Sequence, residues 1–369
     1  MIVILKPEVT PESPEFRKIY DYFARFEGIK LRVAQYEGVS RKVIEIHLIG
    51  DTQKVPLEEV QALPGVEKAI RVSAKYRQIG RHGSLEPFGF EYQGLKFDQD
   101  SFHVFAGLCA VDSKENAETI FKALSENGVV TARMGAYKPR TSPYDFQGFG
   151  KECLPWLFEL AGKYGIKVIA MEVLSPHHID EIREALEKTG HPTGVMLQIG
   201  TRNAQNFELL RAVGSQTEFP VLYKRGMGLS IEESLNACEY IASEGNHKII
   251  FCLRGVRTHL GDPHRNLVDF GHVPVIKRQT RLPVCVDPSH PIGSRVAAPD
   301  GIKDIYHVAA QGVIAGANMV LVEFHPKPEE ALCDGPQALQ LEELPWFLEH
   351  VNLAREAYLK MRELVSKYS

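Results

Sequence analysis

The chain has 369 residues, 44% hydrophobic and 24% charged, and its 43 basic and 47 acidic side chains leave a net charge of −4. That length predicts a large core with a smaller companion domain, and the charge balance excludes a global basic field for nucleic acid or membrane, so any anion-binding surface is local. No apolar run reaches the length of a membrane span, and the opening "MIVILKPEVTPESPEF" is too short in apolar residues and lacks the basic start of a signal peptide.

In chain order, residues 1–75 read as strand, helix, strand, strand, helix, strand. The strands are "MIVILK", "KLRVAQYEG", "KVIEIHLIG" and "EKAIRVSA". The helices are "SPEFRKIYDYFARFEG", with Ile19, Tyr20, Phe23 and Phe26 expected on one face, and "PLEEVQALPG". That order is the split βαβ of a ferredoxin-like module. It carries no cluster of catalytic side chains, so ligand binding and oligomerisation are its candidate roles. Residues 76–101 read as a linker, "RQIGRHGSLEPFG", and a hairpin, "FEYQGLKFDQD", with Gly94 near its turn.

Residues 102–369 change pattern to eight short apolar runs about 30 residues apart with helical stretches between most of them. The runs are "FHVFAGLCA", "VVTARMGA", "KVIAMEV", "GVMLQIG", "PVLYKRG", "KIIFCLRG", "LPVCVDPSH" and "MVLVEFH". The clearest helices are "SKENAETIFKALSENG", "KECLPWLFELAGKYG", "HHIDEIREALEKTG", "SIEESLNACEYIASEG" and a long C-terminal one, and several stop at glycine. This alternation predicts an α/β fold: a (β/α)₈ TIM barrel joined to a small N-terminal ferredoxin-like α+β domain.

Barrel active sites form at the C-terminal ends of the strands. Here those ends carry Cys109, Arg133, Glu172, Arg202, Lys224, Arg254, Asp287 with His290, and Glu323. Solvated loop exits would give mixed polar residues; so many cations beside cysteine, histidine and glutamate point to one functional rim. Arg133, Lys138, Arg140, Arg202, Lys224, Arg225, Arg254 and Arg257 are expected to crowd that mouth, although the chain is acidic. Guanidinium groups fork onto phosphate or carboxylate oxygens and lysine acts as a point charge, so more than one anionic group is implied. In "YKPRTSPYDF", Pro139 and Pro143 stiffen the loop and Thr141 and Ser142 offer hydroxyl donors.

Cys109, His290, Glu323 and Asp334 form a second constellation, with soft sulfur, imidazole and two carboxylates suited to a divalent transition metal. No local spacing advertises it, and a buried cysteine beside hydrogen-bonded carboxylates is the competing reading. The six cysteines have no CxxC pair and no disulfide-framework spacing, which suits a reducing cytoplasm. His177 and His178 open a helix and are expected at the surface; His259 is expected to be structural; His325 shares the Glu323 face of its strand and is expected to support it.

The segments "AGLCAVDS", "RMGAYKPRTSPYDFQGFG", "LQIGTRNAQNFELL", "PVLYKRGM", "CLRGVRTH", "LPVCVDPSH" and "VEFHPKPEEALCDGPQAL" resemble, in order, the motifs of 3-deoxy-D-arabino-heptulosonate 7-phosphate (DAHP) synthases. The similarity runs through nearly the whole chain and is nearest the type I beta subgroup, with its N-terminal ferredoxin-like (ACT-like) regulatory domain. The resemblance implies condensation of phosphoenolpyruvate with erythrose 4-phosphate, releasing phosphate, as the first step of the shikimate pathway to aromatic amino acids. It implies a divalent metal (Mn, Fe, Co, Zn or similar) on Cys109, His290, Glu323 and Asp334. Arg133, Lys138, Arg202, Lys224 and Arg254 match the phosphoenolpyruvate-binding cations, with Glu172 nearby, and Lys138, Pro139, Arg140, Thr141 and Ser142 match the segment holding the aldose phosphate, close to Asp334. Lys138, Glu172, Lys224 and His290 are the candidate catalytic residues. A cytoplasmic homotetramer is implied, with an aromatic amino acid effector on an N-terminal domain that closes over the barrel mouth.

Three departures stand out: Leu108 replaces the proline of the usual AGPC motif, Leu253 stands where the subgroup carries glutamate, and Asp112 replaces glutamate. They leave room for a paralogue using another aldose phosphate. The sister synthase that makes 3-deoxy-octulosonate 8-phosphate carries a KANRS-type loop where this chain has Lys138-Pro139-Arg140-Thr141-Ser142. A Schiff-base aldolase on Lys224 leaves the metal set unexplained. A non-catalytic sensor of phosphorylated metabolites would not release phosphate.

Overall fold

The computed structural model describes residues 1–37, 42–72, 76–81 and 89–368. The expected junction at residues 73–75 and the connection at 82–88 lie outside the described residues.

The N-terminal unit runs β1 (Ile2–Leu5), α1 (Pro14–Ala24), β2 (Lys30–Glu37), β3 (Lys42–Ile49), α2 (Leu57–Gln61) and β4 (Val66–Ile70). The Ser13 hydroxyl caps α1 by accepting from Phe16 N at 3.2 Å, and Pro14 occupies the first turn, where its missing N–H costs nothing. Ile19 and Phe23 bury the inner stripe of α1, whereas Tyr20 turns outward and stacks on Phe16 at 6.1 Å. The sheet has order β2-β3-β1-β4 with antiparallel neighbours, the ferredoxin-like arrangement. On β3 the alternation is decisive: Ile44, Ile46 and Leu48 pack into the domain core, which places Glu45 and His47 on the opposite face. That face is buried too, with Glu45 at 0% and His47 at 2% exposure.

A hairpin of β5 (Phe90–Tyr92) and β6 (Leu95–Phe97) follows, turning through Gln93 and Gly94 at φ +52° and +70°. Then come β7 (His103–Leu108), α3 (Lys114–Glu126), β8 (Thr131–Met134), α4 (Leu154–Lys163), β9 (Val168–Val173), α5 (His177–Thr189), β10 (Gly194–Ile199) and α6 (Phe207–Ser215). The chain continues through β11 (Val221–Lys224), α7 (Ile231–Glu244), β12 (Ile249–Leu253), α8 (Val273–Gln279), β13 (Val284–Val286), α9 (Ser289–Ile292), α10 (Asp304–Ile314), β14 (Met319–His325), β15 (Leu339–Gln340) and α11 (Leu344–Tyr368). Strands β7 to β14 pair in parallel with their neighbours and β14 returns to β7, closing an eight-stranded barrel with helices outside. Inside, Phe105, Ala170, Met196, Leu222, Ile250 and Leu321 fill the lower part, and the hairpin's Phe90 and Phe97, 5.1 Å apart, close it from below. None of the described helices is long and apolar enough to cross a membrane.

The ferredoxin-like sheet docks on that lower end. Arg281, just before β13, places Nη1 3.0 Å from Glu45 Oε1 and donates from Nη2 to Gln78 O at 2.7 Å. Glu45 Oε2 lies 2.9 Å from His47 Nε2, and Tyr36 meets His247, just before β12, with ring centroids 4.6 Å apart. Burial alone would raise the Glu45 pKa, but Arg281 and His47 outweigh it and hold it at about 2. Within one chain the small domain therefore sits at the strands' N-terminal ends, not over the mouth as expected. The polar pair on β3 finds its counter-charge at the barrel's lower end.

Candidate active site

Period-2 alternation builds the site. On six strands the last inward apolar residue of the barrel interior is followed two positions later by a polar one: Ala170 by Glu172, Met196 by Gln198, Leu222 by Lys224, Cys252 by Arg254, Cys285 by Asp287 and Leu321 by Glu323. One layer up from the apolar fill, the strands deliver a ring of charge. The same parity explains why Arg225 does not reach the mouth. One residue past Lys224 it faces outward, where Nη1 pairs with Asp269 Oδ2 at 2.9 Å and Nη2 donates to Leu229 O at 2.8 Å. Two glycines make room: a Cβ on Gly200 would collide with the Glu172 carboxylate, and one on Gly135 with the backbone carbonyl of Cys109.

At the floor, donor atoms of Cys109, His290, Glu323 and Asp334 lie within 4.8 Å of one another. Cys109 Sγ is 3.1 Å from Asp334 Oδ2, and His290 Nε2 is 3.6 Å from Glu323 Oε1. His290 Nδ1 lies 2.7 Å from Asp287 Oδ2, and burial holds the imidazole pKa at about 4, so the ring is neutral. Glu323 Oε1 is buried and has no hydrogen-bond partner among the described residues, although Arg133 Nη1 stands 3.1 Å away as an ion pair. A buried carboxylate oxygen left in that state, beside sulfur, a neutral imidazole and a second carboxylate, fits a divalent transition ion. Arg133 Nη2 also approaches Cys109 Sγ at 3.2 Å, so this guanidinium belongs to the floor rather than to the open cavity. Lys138 Nζ bridges Cys109 Sγ at 2.6 Å and Asp334 Oδ2 at 2.7 Å. Those neighbours outweigh burial and keep the ammonium charged, and Lys138 in turn holds the Asp334 carboxyl well below the usual carboxylate range.

Above the floor opens a cavity of about 560 Å³. It is lined by Lys138, Pro139, Arg140, Thr141, Glu172, Arg202, Lys224, Arg254, Arg257, His290 and Asp334, all of them expected there. Ser142 is not part of this lining; its hydroxyl accepts from Tyr144 N at 3.3 Å in the loop itself. Lys224 Nζ is tied to Asp287 Oδ2 at 2.5 Å, and Arg202 Nη2 donates to Thr141 Oγ1 at 3.4 Å across the opening. Arg254 is 2% exposed, yet its Nε and Nη1 have no acceptor among the described residues. Burial lowers its pKa, which marks the unpaired charge as costly.

Strand-end reasoning missed Arg265, Asn266 and Gln337, because all three sit outside the barrel strands, Arg265 and Asn266 on a loop and Gln337 in a short 3-10 turn. Asn266 Nδ2 donates to His290 O at 2.9 Å, and Gln337 Nε2 donates to Glu323 Oε2 at 2.8 Å. His178 is buried rather than at the surface, stacked on Tyr137 at 3.7 Å, because α5 turns its first histidine out and its second inward. His325 pairs with Asp112 Oδ2 at 2.7 Å instead of supporting Glu323. His259 is exposed in a short 3-10 turn. Leu108 and Leu253 both pack into the apolar layer between strands and helices.

A model of the DAHP synthetase I family matches residues 87–359, and one of the DAHP synthase ferredoxin-like domain matches residues 1–74. A phospho-2-dehydro-3-deoxyheptonate aldolase of Thermotoga maritima is 40% identical over 343 residues, 93% of this chain and 94% of that protein. A 2-dehydro-3-deoxyphosphooctonate aldolase of Syntrophobacter fumaroxidans is 28% identical over 285 residues, 73% of this chain and 94% of that protein. The crystal structure of a Thermotoga maritima DAHP synthase superposes with a TM-score of 0.69 at 36% identity, covering 96% of each chain. A truncated form of the Thermotoga maritima 3-deoxy-D-arabino-heptulosonate 7-phosphate synthase superposes at 0.62 and 35% identity, over 79% of this chain and 97% of its own.

Proposed function

The chain belongs to the DAHP synthetase I family and is a DAHP synthase, an aldolase-type transferase, and from that premise we propose that it condenses phosphoenolpyruvate with erythrose 4-phosphate in a metal-dependent reaction that opens the shikimate pathway. The observation that carries this reading is Arg254: a buried guanidinium with two nitrogens that have no acceptor among the described residues, in a cavity it shares with Lys138, Arg202 and Lys224. Such a charge is stable only opposite an anion, and phosphoenolpyruvate offers a carboxylate and a phosphate.

Cys109, His290, Glu323 and Asp334 would hold the metal, with the Asp287 carboxylate favouring the His290 proton on Nδ1 and leaving Nε2 for coordination. When bound, a divalent ion there supplies Lewis-acid polarisation of the aldehyde oxygen. The chain's own residues do the rest. Arg254, Lys224, Arg202 and, from the floor, Arg133 orient phosphoenolpyruvate so that C3 faces the aldehyde carbon. Arg140, Thr141 and Ser142 belong to the loop that takes the aldose phosphate. The electron pair of the C2–C3 double bond forms the new C–C bond and the aldehyde oxygen gains a proton. Water then attacks the electron-deficient C2 and gives up a proton, leaving a hydroxyl; that hydroxyl loses its proton as its oxygen forms the C2 carbonyl, and the bond from C2 to the phosphate oxygen breaks with its electron pair leaving on phosphate. Lys138, and a water between Glu172 and Lys224, are the two candidates for moving these protons.

The division into residues 1–75, 76–101 and 102–369 rests on the change of hydrophobic pattern, the cytoplasmic location on the scattered cysteines, and the homotetramer and aromatic amino acid effector on the resemblance; sedimentation and inhibition assays on the full chain check the oligomer and the effector. The reaction itself is tested by incubating the protein with phosphoenolpyruvate and either erythrose 4-phosphate or arabinose 5-phosphate, with product mass and phosphate release measured. A seven-carbon product formed with clear preference is expected. Preference for the five-carbon aldose would make the chain a synthase of the sister type, and absence of phosphate release would leave a sensor.

A further inference from the structure

We propose that Gln337 is a positioning residue that holds Glu323 in the orientation a metal needs, an inference that rests on the metal reading above. Gln337 is 2% exposed and closes the short turn that begins after Asp334. Asp334 has the left-handed φ of +56°, and a Cβ on Gly335 would collide with Pro328 O. This tight reversal brings two side chains from one turn, Asp334 and Gln337, to the same cluster.

The amide orientation follows from its partners. Arg265 Nη1 stands 2.9 Å from Gln337 Oε1, and a guanidinium can only donate, so the amide oxygen faces Arg265. The amide N–H₂ then faces Glu323 Oε2 at 2.8 Å. Arg133, on the other side, presents a fork that would engage both oxygens of a carboxylate if both were free. Gln337 claims one of them. Arg133 Nη1 is left facing Oε1 alone at 3.1 Å, and that same oxygen points to His290 Nε2 at 3.6 Å. With Gln337 gone, Glu323 is free to rotate into a two-point pair with Arg133, which withdraws Oε1 from the donor cluster.

The test titrates the full-length, metal-stripped chain with Co²⁺ and follows the sulfur-to-cobalt charge-transfer absorption, with Cys109→Ala as the blank. Gln337→Leu is expected to weaken Co²⁺ binding by roughly 10- to 100-fold, the usual effect of removing a group that orients a metal ligand. Its metal-free melting temperature is measured alongside, since a merely structural role would lower that value and leave the affinity of the folded protein alone. Arg265→Leu, which frees the amide to flip, is expected to weaken binding by a smaller factor and serves if Gln337→Leu does not fold. Wild-type affinity in both folded variants overturns the proposal while leaving the metal site in place. No Cys109-dependent absorption in the wild type overturns the metal reading and this proposal with it.

Discussion

The two ends of the barrel each bury an arginine, and they treat it in opposite ways. At the lower end Arg281 is enclosed by Glu45, by the Gln78 carbonyl and by the Tyr36 ring 5.1 Å away, all from segments ahead of the barrel. At the mouth Arg254 is equally buried but leaves Nε and Nη1 without acceptors among the described residues. The first charge is spent inside the protein and fastens two domains. The second is left unpaired among the described residues, at some expense to stability, and in the reading proposed above it awaits an anion.

The most severe way to break that contrast is at the floor of the mouth. Cys109→Ala removes a sulfur that touches Arg133, Lys138 and Asp334. Turnover is expected to fall on the order of 10³-fold, the scale of losing several kcal/mol of Lewis-acid help, with a melting temperature close to wild type. An active variant would remove Cys109 from the site. Next in size is the paired test of the arginines themselves. Arg254→Met should lower kcat/KM about 10²-fold, the equivalent of losing one or two charge-assisted hydrogen bonds, while its melting temperature holds or rises. Arg281→Met should do the reverse: it leaves Glu45 buried without its guanidinium, costs about 3–5 kcal/mol of stability, and spares kcat/KM of the folded enzyme. Equal thermal losses in both variants would erase the distinction between the two ends.

How far the sequence reached follows the same division. Strands β7 to β14 were legible as apolar runs because a barrel strand is covered on both faces, and glycine stops marked the helices between them. Much of the charged ring was legible because Glu172, Lys224, Arg254, Asp287 and Glu323 each occupy the next inward position after an apolar residue. Arg225 falls among the expected mouth cations only if parity is ignored, and one residue of slip turns a side chain to the other face. Arg265, Asn266 and Gln337 escaped because loop paths depend on tertiary contacts that no period encodes. The lower-end cluster was hidden for a different reason. Alternation on β3 marks Glu45 and His47 as a solvent face, and only docking against Arg281 makes that face an interior. A polar alternation in a small sheet thus carries two meanings, and the neighbour decides between them.

The smallest expected effect, and the one that sharpens the comparison most finely, is the response to pH. Burial, with Arg281 close by, pushes the His247 pKa from 6.5 down to about 4. The folded chain therefore binds fewer protons than the unfolded one below pH 6.5, and stability falls as pH drops from there towards 4. Glu45 has the other window. Its pKa is held at about 2 against an ordinary 4.5, so the stability it adds is complete above 4.5 and drains away only as pH falls towards 2. His290 at the mouth, also held at about 4, adds to the upper window with the same sign, so the wild-type slope mixes both ends. Melting temperatures followed from neutral pH down to about 4.5 should decline by a few degrees, and His247→Phe should flatten part of that decline without touching the acid limb below 4.5 that belongs to Glu45. If His247→Phe left the slope between pH 6.5 and 4.5 unchanged, the upper window would belong to the other histidines whose pKa values burial lowers, His103, His178 and His290.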